Sequence, residues 1–107
     1  AYSPRVARQL TGLGLLEAIG EEQILARATV EGCDDDGGLS GRAMLVPDPV
    51  DGTLKLGRLG WKAEKIGVRH QLADALLQDM GVTTSVFPEP GGGAELSDED
   101  LERLVAY

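Results

Sequence analysis

Cysteine, histidine and aromatic side chains are nearly missing from this chain. Its 107 residues hold one cysteine, one histidine, one tryptophan, one phenylalanine and two tyrosines. With Cys33 alone no internal disulfide can form, and neither a zinc cluster nor a Cys-x-x-Cys-His haem attachment can be written from these residues. Cys33 also has no basic neighbour in sequence to lower its pKa and no companion thiol, so it reads as incidental. Basic residues are scarce too: 10 stand against 18 acidic ones, for a formal charge of −8. That sign repels a phosphate backbone and no basic stripe offsets it, which argues against nucleic acid as a partner. No apolar run approaches the roughly 18 residues of a membrane span, and the amino terminus lacks the basic and apolar regions of a signal peptide.

What is plentiful is glycine, at fifteen residues, with five prolines. Much of the backbone is therefore loop, and the length suits one small domain with a modest core. Marginal stability, or support from a further surface, is the expectation.

The chain divides into a helical pair over 1–30, an acidic loop and hairpin over 31–66, a helix over 67–81, a linker over 82–96 and the start of a C-terminal helix over 97–107. In the first segment Leu10, Leu13, Leu16 and Ile19 recur at helical spacing and Gly20 supplies a stop. Gly12 and Gly14 weaken that helix unless a close neighbour needs the space. "EEQILARA" follows, with acidic residues in its first turn, as the helix dipole prefers. The pair Asp51-Gly52 between "AMLV" and "TLKLGRL" predicts a hairpin. Leu72, Ala73, Leu76, Leu77 and Met80 form an apolar stripe, with Gln71, Asp74 and Gln78 opposite. Val86 and Phe87 in the linker can tuck back as an apolar tab. Ser97 with Asp100 three residues on approximates a capping box, flanked by Leu96 and Leu101 at staple positions. The sequence ends while that helix is still running, which suggests a piece of something longer. The predicted fold class is mainly α: short helices, one small β-hairpin and long Gly/Asp/Pro-rich loops.

Taken on residues alone, Trp61 in "GRLGWKAEK" is an amphipathic anchor with its ring on Leu56 or Leu59. His70, beside an arginine on a helix, is a surface residue. Asp34 and Asp36 of "DDDGG" are candidate calcium ligands, but the late carboxylate of a full calcium loop is not there, and a solvated acidic turn accounts for the pattern as well.

The runs "YSPRVARQLTGLGLLEAI", "DDDGGLSGR", "GRLGWKAEK", "HQLADALLQDMGVTTSVFP" and "LSDEDLERLVAY" occur in that order. Together they resemble the stretch between the two haem-attachment motifs of the di-haem oxidoreductase family, whose members are labelled thiol oxidoreductases or di-haem peroxidases. The resemblance covers nearly the whole chain. It implies a cytochrome c-like, periplasmic parent protein with two covalent c-type haems, neither attachable to this segment, that takes electrons from a donor protein. In the peroxidase relatives a tryptophan lies between the haems, a glutamine follows about ten residues later near the reactive iron, and an acidic residue stands later still beside a methionine. Trp61, Gln71 and Asp79 with Met80 follow that order, although Asp79 comes about two residues early and is not Glu. The resemblance thus implies an electron relay at Trp61, an amide at Gln71 that orients peroxide, and a proton carrier at Asp79. On an uninterrupted helix Gln71 and Asp79 would lie about 80° apart.

The expectation is therefore the haem-free central part of a di-haem, peroxidase-like oxidoreductase, inactive by itself, whose partners are the haem-bearing portions of the parent chain. The rival from another class is a small acidic protein-binding or scaffold module that docks a partner through its glycine-bearing first helix and its last helix.

Overall fold

The structure is a computed structural model and describes residues 11–28 and 41–107. Asp34, Asp36 and Cys33 lie outside the described residues, as does the start of the first segment.

The first turns described are short. Gly12 has φ +83°, a left-handed conformation that a helix cannot continue, so α1 begins only at Leu13 and spans Leu13–Glu17. No atom among the described residues lies within 4 Å of where a Cβ at Gly12 or Gly14 would sit. Backbone geometry, and not a packed neighbour, is the reason for glycine at position 12. α2 spans Glu21–Leu25 behind an extended Gly20, with Glu21 and Glu22 in its first turn.

β1 (Met44–Pro47) and β2 (Leu54–Gly57) form the antiparallel hairpin, paired from Met44↔Gly57 to Pro47↔Leu54. Its loop is built by Asp48 and Asp51. Asp48 Oδ1 accepts the Val50 N–H at 2.8 Å, Asp51 Oδ1 accepts the Thr53 N–H at 2.8 Å, and the Lys55 ammonium sits 2.5 Å from Asp48. The Lys55 hydrogen bond, followed by the Val50 N–H, holds the Asp48 carboxyl below the usual carboxylate range.

α3 covers Val68–Ala75 and passes without a break into a π-helical turn, Leu76–Met80, so the expected uninterrupted helix changes its winding halfway. α4 spans Asp98–Ala106. Its Ser97 cap accepts the Asp100 N–H at 3.1 Å and donates its hydroxyl to Asp100 Oδ2 at 2.8 Å. The core forms where α3, α4 and the segment between them meet: Ala73, Val86 and Leu101 are buried, with Leu76, Phe87 and Leu96 packed around them. Arg69 ties the same three parts from outside through Glu102 (2.7 Å), Asp98 (2.8 Å) and Ser85 (3.1 Å). Residues 82–96 are also pinned, with the Thr83 N–H and hydroxyl both engaged by Glu95 and the Leu96 N–H on the Thr83 carbonyl.

Among the described residues helix amounts to 38% and strand with isolated bridges to 14%. A helical share so close to the roughly 30–35% of ordinary globular domains corrects the expectation of a mainly α fold. Glycines cut the helices short, and the hairpin with its bridges claims backbone that helical periodicity does not reveal.

Candidate functional site

β2 ends in a tight loop that carries the tryptophan. Leu59 and Lys65 exchange both backbone hydrogen bonds at 3.0 Å, which closes a five-residue loop over Gly60–Glu64. Gly60 has φ +88° and Ala63 has φ +52°, the latter a conformation that costs an L-residue about 1–2 kcal/mol. The Glu64 carboxylate folds back onto the Lys62 N–H at 2.7 Å and fills the space a Cβ at Gly60 would need. Beneath the loop, a Cβ on Gly57 would lie 1.9 Å from the Ala63 carbonyl oxygen, so only glycine lets the loop fold over β2.

This geometry turns the Trp61 ring outward, 71% exposed, while Leu56 and Leu59 are buried without it. Packing on those leucines is therefore not what the tryptophan does. Leaving such a ring uncovered forgoes about 3 kcal/mol of burial. Other large apolar side chains are uncovered too, among them Leu15, Leu16 and Met80.

The first residues of α3 are held by a remote carboxylate. Gly67 gives no side-chain cap, and Glu17 Oε1 instead accepts the Val68 N–H at 3.2 Å, occupying the place of a Cβ on residue 67. Glu17 is oriented in turn because Arg58 Nη1 donates to the Glu17 and Ile19 carbonyls, both at 2.8 Å, where α1 ends. A cation at those carbonyls complements the helix dipole.

His70 is corrected from a surface residue to a buried one, 8% exposed. Its Nδ1 accepts the Ile66 N–H at 3.4 Å and its ring lies 5.7 Å from that of Phe87. Burial, and next the Lys65 cation, push its pKa below the ordinary 6.5. The ring edges a cavity of about 230 Å³ lined also by Glu17, Asp48, Lys55 and Arg69. A histidine kept neutral by the fold makes stability depend on pH. As pH falls through 6.5 the unfolded chain binds a proton that the folded chain resists, so stability drops until the lowered folded pKa is passed and then levels off. His70→Asn keeps an acceptor for Ile66 and should flatten the fall in urea midpoint between pH 7.5 and 5.5. An equal fall in both proteins would show that His70 is not its source.

Gln71 and Asp79 occupy different settings. Gln71 is 4% exposed on α3, against the expectation of a solvated helix face, and on the same helix Asp74 pairs with Lys65 at 3.0 Å. Asp79 is exposed in the π-turn. None of Trp61, Gln71 and Asp79 lines the cavity of about 230 Å³ beside His70. Among the described residues no group of three or more His, Cys, Asp or Glu side chains could hold a metal ion, and no helix is long and apolar enough to cross a membrane. The cavity beside His70 was missed from sequence; the signal for it was the Asp48 and Lys55 pair flanking the hairpin turn.

No curated protein and no solved structure matches this chain. A family model described as "Di-haem oxidoreductase, putative peroxidase" matches residues 2–105. The match spans almost every residue, and the chain belongs to the di-haem oxidoreductase family.

Proposed function

We propose that this chain forms the wall between the two haems of a peroxidase-like di-haem oxidoreductase and supplies Trp61 as a stepping-stone for electrons between them. The observation that carries the reading is the outward indole, held by a loop with a strained Ala63 and covered by nothing among the described residues. Strain and forgone burial of this kind collect at functional positions. An indole between redox centres divides one long tunnelling gap into two short ones.

The side chains present fit a haem as a neighbour. Uncovered apolar groups such as Leu15, Trp61 and Met80 suit a porphyrin face, whereas covalent attachment needs a Cys-x-x-Cys-His that these 107 residues lack. When bound, the haems supply the redox chemistry of peroxide reduction. In this reading Gln71 orients the substrate through its amide and Asp79 carries a proton at its carboxylate. A periplasmic setting and a separate electron-donor protein go with the same reading.

Trp61 fluorescence tests it. In the full-length, haem-loaded protein the emission lost on Trp61→Phe should be close to nil, because a porphyrin in contact accepts the indole's excitation; removing haem should restore it. A bright, water-exposed indole signal in the loaded protein would overturn the placement.

A further inference from the structure

A second feature lies apart from the tryptophan loop. Ala28 and Gly41 form a parallel bridge, and a Cβ on Gly41 would stand 3.0 Å from the Arg27 carbonyl oxygen, so glycine permits the two backbones to meet. The bridge sets Arg27 and Arg42 at one pocket of about 460 Å³, walled by Ile19, Ile24 and Ala43. Neither guanidinium has a hydrogen bond or salt bridge among the described residues. In a chain of net charge −8 that is unexpected, since Arg58, Arg69 and Arg103 all have carboxylate partners. Two planar cations with no partner among the described residues, at the edge of an apolar pocket, match a ligand that is flat, apolar and doubly carboxylated at one side.

We propose that this pocket receives the edge of one haem, with Arg27 and Arg42 pairing its two propionates. The inference rests on the proposed placement beside the haems but uses different residues from the electron relay. Apolar walls take the porphyrin and the guanidiniums neutralise its carboxylates. A cation paired with a propionate also destabilises the ferric state, which carries one more positive charge than the ferrous, and so raises that haem's potential.

The test is a spectroelectrochemical titration of both haems in the full-length, loaded protein. Arg27→Gln and Arg42→Gln should each lower the midpoint potential of the same haem, the double variant should lower it further, and the other haem should stay in place. Arg42→Lys, which keeps the charge, should restore most of the Arg42→Gln shift. Arg103→Gln on exposed α4 gives the effect of overall charge alone. Unmoved potentials, or a shift of both haems equal to that reference, would overturn the proposal. Trp61→Phe is expected to leave both potentials unchanged and to slow transfer between the haems, so the two readings fail separately. A full-length protein without haem would overturn both.

Discussion

Leu101→Ala should destabilise the protein by about 2–5 kcal/mol. The side chain is 0% exposed and sits on α4 where it meets Ala73 of α3 and Val86 of the intervening segment. Truncation removes the transfer energy of the lost methyl groups and leaves a cavity whose walls belong to three parts of the chain. Arg69 bridges those parts through Glu102, Asp98 and Ser85, which opposes their closing in together. In a domain whose total stability is on the order of 5–15 kcal/mol, such a loss is a large share. Urea unfolding should show a lower midpoint with an unchanged slope. Leu104→Ala, on the same helix but 42% exposed, should cost far less. Equal losses at 101 and 104 would mean that α4 does not pack as described.

Gly57→Ala is expected to be nearly as damaging, for the opposite reason. Its new methyl would lie 1.9 Å from the Ala63 carbonyl oxygen and 2.7 Å from Val46 Cγ2. One of these is backbone, so the clash cannot be relieved by turning a side chain, and overpacking of this kind costs about 1–3 kcal/mol or more. The loop over Gly60–Glu64 must lift, breaking the pair of hydrogen bonds between Leu59 and Lys65. The Lys65 amide, which donates to the Leu59 carbonyl, should lose its protection from hydrogen exchange while amides in α4 keep theirs. Retained protection at Lys65 would show that the loop tolerates the methyl. Since the indole keeps its chemistry but loses its position, this variant should impair transfer between the haems nearly as much as removing the ring.

Local features were legible in the residues because their causes lie within a few positions. Ser97 and Asp100 cap α4 by direct contact, and Asp51-Gly52 turns the hairpin with bonds to Thr53. The family, too, could be read from ordered motifs. What failed was whatever depends on a distant partner. Glu17 caps α3 across 51 residues of sequence, and Arg58 reaches the end of α1 across about 40. Neither leaves a periodic trace. His70 is buried beside Phe87, which is remote in sequence, and Gln71 is buried on a face that the helical pattern marks as polar. The outward indole follows from Gly57 beneath the loop and Ala63 within it, not from its own neighbours. A mainly α expectation failed in a similar way, since apolar spacing measures where a helix could run and not where glycine stops it.

The central claim is that Trp61 lies on the electron path between two haems. Its most direct test is to reduce the full-length protein, add peroxide in a stopped-flow instrument, and follow oxidation of each haem in the parent and in Trp61→Phe. Because the exposed ring adds little to stability, folding should be unaffected. The account predicts that oxidation of the haem remote from peroxide slows by at least about tenfold, equivalent to about 1.4 kcal/mol on the barrier. Parental rates at both haems in the phenylalanine variant would contradict it.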